Sequence, residues 1–359
     1  MTSTLVSSPE IQRASADDDQ RDRKLEHIEL SLDRRIQLDA RYFDALTFEH
    51  EALPDVDLES ISLDCTFLGK KLRAPLLVSC MTGGTGDAVD INRRLAEAAE
   101  HCGIALGVGS QRKAIERPET AATFHVRHVA PTVPLLGNLG AVQLNYGFGL
   151  DECRRAVEMV EADGLALHLN PLQEALQPEG QGDFRGLMAK IGQLVDGLTV
   201  PVVAKEVGCG ISGRTGRQLY EQGVRHFDAA GLGGTSWARI EAARADDREI
   251  GELFADWGVP TPVSIRQLSA IGDDVHVIGS GGVRSGVDVA KSIALGADLV
   301  GLAQPFLRAA VVSTHAVVEA IERTIRELRI AMFCSGAADL AALARTPLLR
   351  KGFEPEAVL

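Results

Sequence analysis

The sequence is poor in aromatic residues and lacks long apolar runs. Aromatic residues make up 4% of its 359 residues, whereas glycine is frequent, with 36 residues. This composition favours an α/β protein with many tight turns between strands and helices over an all-β sandwich. No run of about 18 apolar residues occurs, and the N-terminal region lacks the apolar core of a secretion signal. We therefore expect a cytoplasmic protein with no membrane-spanning segment.

The chain also lacks paired cysteines and an excess of positive charge. No two of its six cysteines form a C-x-x-C pair, which predicts reduced, mostly buried thiols and no zinc site. The formal net charge of -13 argues against a nucleic-acid-binding surface. An anionic ligand would therefore need a local cluster of basic side chains.

The two ends of the chain carry little pattern. Residues 1–20 are rich in Ser, Thr and Asp and predict a disordered tail, and residues 336–359 predict a C-terminal tail. Residues 21–75 form a separate N-terminal segment that begins with a charged helix. On local sequence alone, Arg23 and Lys24 in this helix belong to a solvated face more often than to an anion clamp.

From residue 76 onward the chain repeats an apolar strand, a polar or glycine-rich turn and an amphipathic helix. The predicted strands are 76–80, 105–109, 135–138, 165–169, 202–205, 226–230, 275–279 and 299–303. Eight such units over about 250 residues predict a (β/α)8 TIM barrel spanning residues 76–335, preceded by the N-terminal segment as an extension. A doubly wound sheet is the alternative. The long connection 231–274 predicts either a functional loop or an insertion.

Polar and glycine-rich residues follow the predicted strands, at the end where a barrel holds its active site. The turn 279–282 after the seventh strand and residues 303–306 after the eighth predict a phosphate site, because backbone N–H groups approach an anion closely where no Cβ intervenes. The alternative is that these glycines only make turns.

Three further side chains stand at strand ends. Lys205 ends an apolar strand, so it could stabilise an anion or an electron-rich ring atom, or pair with a carboxylate such as Glu206. Glu174 suits a Mg²⁺ ion that keeps several waters, or a helix start where the dipole favours an acid. His168 taken alone is more often a core histidine than a catalytic group.

The ordered set of motifs resembles the type 2 isopentenyl-diphosphate isomerases, which are FMN-dependent TIM-barrel enzymes. The motifs lie at 23–27, 81–84, 109–112, 138–140, 168–174, 205–208, 233–237, 279–282 and Ala303, so the resemblance covers nearly the whole chain from Arg23 to about Arg308. It implies that the protein interconverts isopentenyl and dimethylallyl diphosphate.

The resemblance also implies roles for individual residues. The FMN contacts would be Cys80, Met81, Thr82, Ser110, Asn138, Lys205, Thr235, Gly281, Gly282, Ala303 and Gln304. The substrate contacts would be Arg23, Lys24, Ser110, Arg112, His168, Asn170 and Gln173, which reverses the local interpretation of Arg23 and Lys24. Gln173 and Glu241 would be the catalytic residues, and Glu174 would bind Mg²⁺. NADPH would reduce the flavin, and the family resemblance implies a homo-tetramer or homo-octamer.

One position departs from the family pattern, in which the residue before Gly231 is often Ser. Here it is Ala230, and the loss of a hydroxyl contact to FMN would weaken flavin binding by about 1 kcal/mol. Two other functions stay open at this point. A hydroxy-acid oxidase shares the barrel and the strand-end lysine, and a non-catalytic flavin- or diphosphate-binding protein would share the pocket.

Overall fold

The computed structural model describes residues 23–81 and 86–351, and the predicted tail at 1–20 and Thr82 lie outside these ranges. The structure contains twelve strands within the described residues. They are β1 (Leu46–Phe48), β2 (Cys65–Phe67), β3 (Lys70–Leu72), β4 (Leu76–Val78), β5 (Ala105–Gly107), β6 (Leu135–Gly140), β7 (Gly164–Leu169), β8 (Val202–Glu206), β9 (His226–Asp228), β10 (His276–Ser280), β11 (Leu299–Leu302) and β12 (Leu348–Arg350).

Strands β4 to β11 form a closed barrel in which every neighbouring pair is parallel. The ring closes between β11 and β4, where Val300 is the register partner of Leu76. A doubly wound sheet would leave two open edges, so this closure confirms the predicted TIM barrel and excludes the alternative. Each of the eight predicted strands overlaps an observed barrel strand.

Helices follow the barrel strands and surround them. Those within the described residues are α1 (Arg23–Leu32), α2 (Gly86–Cys102), α3 (Arg112–Glu116), α4 (Leu150–Val160), α5 (Pro171–Leu176), α6 (Leu187–Gly197), α7 (Gly213–Glu221), α8 (Trp237–Arg244), α9 (Arg248–Leu253), α10 (Thr261–Ser269), α11 (Gly286–Ala294), α12 (Gln304–Val312), α13 (Thr314–Cys334) and α14 (Leu340–Ala344). The long connection 231–274 therefore contains three helices. Among the described residues, no helix combines the length and apolarity needed to cross a bilayer.

Two apolar layers hold the barrel together. The inward-facing layer takes one small or branched residue from most strands, such as Leu77, Leu136 and Val203, and the β2–β3 hairpin adds Phe67 and Leu72 to it. The hairpin therefore fills one end of the barrel. The larger layer lies between the outward faces of the strands and the surrounding helices. The burial of apolar side chains in these two layers is the dominant favourable contribution to folding.

Residues beyond the barrel are better ordered than the sequence pattern suggested. After α13 the chain forms α14 and then β12, which pairs antiparallel with β1 in the register Leu46↔Arg350. Lys291 Nζ donates to Phe43 O at 2.9 Å and ties the N-terminal segment to α11. The six cysteines are free; Cys102 and Cys153 are buried, and the other four are partly buried.

Candidate active site

A deep cavity opens at the carboxyl ends of the barrel strands. Including its open mouth, it encloses about 1690 Å³. Every predicted site residue with a described side chain, except Glu241, lines it: Lys24, Cys80, Met81, Ser110, Arg112, Asn138, His168, Asn170, Gln173, Glu174, Lys205, Thr235, Gly281, Gly282, Ala303 and Gln304. Glu241 lies directly behind the wall. Helix α1 contributes Lys24 and His27 to the lining, while the side chain of Arg23 lies outside the described part of the structure.

The glycine-rich turn after β10 and the start of α12 form one corner of the cavity. Gly281 and Gly282 adopt φ values of +101° and +71°, in the region that favours glycine. A Cβ on Gly234 would lie 2.8 Å from Gly282 N, so the two turns pack backbone against backbone. Ala303 precedes α12 without a side-chain cap, which leaves the first N–H groups of that helix for another acceptor. This corner can hold a phosphate group.

Lys205 forms a buried ion pair with Asp228 at the floor of the cavity. The two residues are register partners on β8 and β9, and Lys205 Nζ lies 3.0 Å from Asp228 Oδ2. Ser280 Oγ donates to the other oxygen of Asp228 at 2.5 Å. Burial disfavours the ammonium, but the charge and hydrogen bond of Asp228, together with Cys80 and Glu206, outweigh burial and raise the pKa of Lys205. A fixed positive charge therefore faces the cavity, where it can stabilise an electron-rich ring.

Glu206, the carboxylate that sequence alone offered to Lys205, faces elsewhere. Its Oε2 accepts hydrogen bonds from four successive backbone N–H groups, those of residues 207–210. Burial raises the pKa of Glu206 to about 7, in opposition to these donors. Glu206 thus shapes the loop after β8, and only its carbonyl oxygen contacts Lys205, at 3.0 Å.

The middle of the cavity wall is polar and tightly bonded. His168 Nδ1 lies 2.8 Å from Asn138 Oδ1, which fixes the imidazole ring beside β6. Gln111 is fully buried behind the wall, and its Oε1 accepts from Asn138 N at 2.9 Å. Burial raises the pKa of the neighbouring Cys80 thiol, so this cysteine is neutral. His168 and Asn138 therefore present fixed polar groups to a ligand.

Helix α5 carries the predicted substrate and metal residues in one turn. Asn170 Nδ2 donates to Gln173 Oε1 at 3.0 Å and to Glu174 Oε1 at 2.9 Å. The other oxygen of Glu174 accepts from Gln177 Nε2 at 2.5 Å and from Gln181 N at 2.7 Å. Pro171 starts this helix and fixes its first turn. The side chains of Gln173 and Glu174 therefore line the cavity from a rigid backbone.

Glu241 joins three elements behind Gln173. Gln173 Nε2 donates to Glu241 Oε1 at 2.7 Å, and His27 Nε2 lies 3.0 Å from the same oxygen. Arg244 Nη1 donates to Oε2 at 2.7 Å. Burial opposes ionisation of Glu241, but the hydrogen bond and charge of His27, together with Gln173 and Arg244, lower its pKa. The arrangement is a relay in which a charged carboxylate orients the amide that faces the cavity.

The basic residues at the entrance come from α1 and α3. Lys24 Nζ donates to Ser110 O at 2.9 Å and lies 5.0 Å from the centre of the Phe124 ring. Arg112 Nε donates to Glu116 Oε1 at 2.9 Å, and Arg112 Nη1 donates to Gln181 Oε1 at 3.2 Å. Lys24 and Arg112 therefore place two cations at the mouth of an otherwise acidic protein, as an anionic ligand requires.

Sequence reasoning missed several residues that complete the site. Asp228 pairs with Lys205, Arg244 binds Glu241, and Trp237 packs edge-on against His27 with ring centres 5.1 Å apart. Gln37 Nε2 donates to Thr235 Oγ1 at 3.0 Å, which closes the N-terminal segment onto the cavity. Asp228 gave a usable signal, because a carboxylate inside an apolar strand needs a buried partner.

The cavity residues fit a flavin mononucleotide. Several buried side-chain atoms of the described residues have no hydrogen-bond partner within the protein, and three of the oxygens among them, Ser79 Oγ, Gln143 Oε1 and Asn170 Oδ1, belong to residues that line the cavity. A polar ligand would satisfy these oxygens. Lys205 and the glycine corner provide the cation and the phosphate cradle that such a cofactor needs. No group of three or more His, Cys, Asp or Glu residues forms a metal cluster in the described residues.

The chain is similar to known proteins over most of its length. A family model described as FMN-dependent dehydrogenase matches residues 260–350. Solved structures of mandelate oxidase share the fold: the form with (S)-mandelic acid has a TM-score of 0.64 at 17% identity and covers 92% of this chain and 95% of that one. The form with a monooxide FMN adduct has a TM-score of 0.61 at 18% identity, covering 90% and 92%.

Sequence relatives are much closer. The isopentenyl-diphosphate delta-isomerase of Nostoc sp. is 51% identical over 92% of this chain and 95% of the relative. The enzymes of the same name from Cronobacter sakazakii and Methanothrix thermoacetophila are 48% and 47% identical, each over 92% of this chain and over 97% and 93% of the relative. At this identity and coverage, the chain belongs to the isopentenyl-diphosphate delta-isomerase family.

Proposed function

We propose that the protein interconverts isopentenyl and dimethylallyl diphosphate in a site built on reduced FMN. The observation that carries this proposal is the set of contacts Gln173–Glu241–His27, in which Gln173 lines the same cavity as the glycine corner that can hold a phosphate. The names of the close relatives support the same substrate pair.

The proposed reaction moves one double bond. A proton is added to one carbon and removed from another, so atoms and electrons balance without an external oxidant. When bound, reduced FMN would supply acid–base or charge-stabilising chemistry at the reacting carbons. Lys205 would face the electron-rich part of the ring, and the phosphate would lie on Gly281, Gly282, Ala303 and Gln304. The cofactor would also contact Cys80, Met81, Ser110, Asn138 and Thr235. Thr82, which lies outside the described residues, is proposed as a contact from the family resemblance alone.

The protein's own residues would hold the substrate and move protons. Lys24, Arg112 and Ser110 would bind the diphosphate, with His168 and Asn170 on its inner side. Arg23, whose side chain lies outside the described part of the structure, is proposed as a fourth contact from the family resemblance alone. Gln173 would face the reacting carbons and Glu241 would orient it from behind. Glu174 would hold a Mg²⁺ ion, which would supply positive charge for the diphosphate, because Mg²⁺ needs few protein ligands when it keeps its waters. NADPH would prime the flavin, and the working form would be a homo-tetramer or homo-octamer.

The proposed activity is tested by an anaerobic assay. The protein is given isopentenyl diphosphate, FMN, Mg²⁺ and NADPH, and the dimethylallyl isomer is expected. Absence of product while flavin is demonstrably bound contradicts the proposal. A parallel reaction with a 2-hydroxy acid tests the alternative that the protein is a hydroxy-acid oxidase. Reduction of the flavin by that acid would support the oxidase and not the isomerase. A 2-hydroxy acid would need a guanidinium for its carboxylate, whereas Nη2 of Arg284, which lines the cavity, already donates to Leu38 O and Gly233 O, both at 2.9 Å.

A further inference from the structure

Arg244 lies among three carboxylates beside the cavity. Its Nη1 donates to Glu241 Oε2 at 2.7 Å, its Nε to Glu26 Oε2 at 3.0 Å, and its Nη2 to Glu179 Oε1 at 3.0 Å. The arginine side chain is only 10% exposed. One guanidinium therefore connects three parts of the chain: helix α8, helix α1 and the loop that follows α5.

This junction requires an arginine. A guanidinium offers N–H groups from three nitrogens in one rigid plane, so it can bind three separated acids at once. A lysine ammonium has a single nitrogen and cannot reach all three positions. The geometry thus depends on the shape of the side chain as well as on its charge.

Glu241 depends on Arg244 because it has no contact with solvent. The exposed fraction of its side chain is 0%, and a buried carboxylate is costly unless a cation pairs with it. The groups that face Glu241 are His27 from α1, Gln173 from α5 and Arg244 from its own helix, and Gln173 carries no charge. Glu26 and Glu179 accept from the other two nitrogens of Arg244, so three carboxylates share one guanidinium.

We propose that Arg244 is a positioning residue for the isomerisation: it fixes Glu241 behind Gln173 and, through Glu26, docks helix α1 over the substrate end of the cavity. This inference rests on the proposed function for its catalytic part. Its structural part does not, because the link between α8 and α1 exists without substrate. The two parts make separate measurements possible.

The test compares Arg244→Met, Arg244→Lys and Glu26→Gln with the wild type, all loaded with FMN. In Arg244→Met, kcat should fall about 100-fold or more, and the limb of the kcat–pH profile that reports Glu241 should move to higher pH, because the lost cation favours the protonated acid. Arg244→Lys should restore most of the pH profile but only part of kcat. Glu26→Gln should leave the pH profile in place and raise KM.

Hydrogen exchange of residues 24–32 measures the docking of α1 without substrate. Exchange should be faster in Arg244→Met and in Glu26→Gln than in the wild type. The matched control is Arg93→Met, since Arg93 also bridges two acids, Asp90 and Glu97, but on the exposed face of α2. It should change neither kinetics nor exchange in α1.

Two results would overturn the proposal. The first is an active wild type together with an Arg244→Met variant that behaves like it. In that case kcat/KM of the variant would lie within about twofold of the wild-type value, and the two kcat–pH profiles would coincide. The other is unchanged exchange of α1 in both Arg244→Met and Glu26→Gln. If the wild type itself fails to isomerise, the proposed function fails, whereas the exchange measurement still decides whether Arg244 docks α1. Because Glu26→Gln and Arg244→Lys keep most contacts, they remain informative if Arg244→Met does not fold.

Discussion

Gln173 Nε2 donates a hydrogen bond of 2.7 Å to Oε1 of Glu241, a residue on a different helix and separated from it by the whole of β8 and β9. The bond turns an amide into a fixed group at the cavity wall. Its oxygen accepts from Asn170 at 3.0 Å, so both ends of the amide are held. A side chain held in this way loses little freedom when a substrate binds.

Gln173→Ala should lower kcat about 100- to 1000-fold with a much smaller change in KM, because the amide would act on the reacting carbons rather than on the diphosphate. Steady-state kinetics of isomerisation measure this split. Gln193→Ala, at an exposed position on α6, is the control and should behave as the wild type. A rise in KM with unchanged kcat would instead assign Gln173 to ground-state binding.

Glu174→Gln should raise the Mg²⁺ concentration needed for half-maximal activity about tenfold or more, because the amide keeps the shape of the side chain but not its charge. FMN binding should be unchanged. Isomerisation rates over a Mg²⁺ titration measure the effect, with Glu158→Gln on the exposed side of α4 as the control. An unchanged Mg²⁺ requirement would show that the ion is held elsewhere.

Gly282→Ala should abolish or strongly weaken FMN binding, because Gly282 has φ +71° and a Cβ there would collide with the backbone of Gly233. Gly147→Ala is the matched control: its φ is +89°, but no atom lies within 4 Å of the added Cβ. The control should lose about 1 kcal/mol of stability and keep the flavin. FMN titration by fluorescence, beside thermal unfolding, separates the two effects.

Ala230→Ser should tighten FMN binding about fivefold, the equivalent of about 1 kcal/mol, if the added hydroxyl donates to the cofactor. Ala230 lines the cavity and already has a φ of +34°, which Ser accommodates as well as Ala does. Dissociation constants from flavin fluorescence measure the change, with Ala122→Ser at an exposed position as the control. Equal affinities would mean that position 230 makes no flavin contact.

The protein should lose stability in acid partly through His226. Burial and the nearby His276 ring lower the pKa of His226 to about 4, from a model-peptide value of about 6.5. The neutral ring therefore stabilises the fold fully above about pH 6.5, and this contribution is lost as the pH falls towards 4, because only the unfolded chain takes up the proton. Chemical unfolding at pH 7 and pH 4 measures it.

His226→Phe should keep the apolar packing and reduce the acid-induced loss of unfolding free energy by about 2–3 kcal/mol. His101→Gln, at an exposed position near the end of α2, should leave that loss as it is in the wild type. An identical acid response in His226→Phe would mean that His226 does not drive the transition.

The barrel could be predicted because its strands are local signals. Each strand is a short apolar run followed by glycine or polar residues, and eight such runs, evenly spaced apart from the long connection 231–274, leave few other architectures. The phosphate corner was predicted for the same reason, since the residues at 279–282 and 303–306 each form a continuous stretch.

Contacts between distant residues could not be predicted. Whether Lys205 pairs with Glu206 or with another acid depends on strand register, and the observed partner Asp228 became evident only when β8 and β9 were aligned. Arg244 contacts carboxylates from three separate segments of the chain. The sequence pattern of one segment does not predict which residues of the other two lie beside it. The ordered stretch at residues 340–350 was missed because a three-residue strand gives too weak a pattern.

The pairing of β1 with β12 has a consequence for the timing of folding. The two strands lie about 300 residues apart, so β1 has no partner until residues near 350 have been synthesised. The N-terminal segment, which supplies Lys24 and His27 to the cavity, can contact Thr235, Arg244 and Lys291 earlier, so its pairing with β12 is the last of these contacts to form. During translation, the growing chain would therefore have made every residue of its cavity lining before β1 found its strand partner.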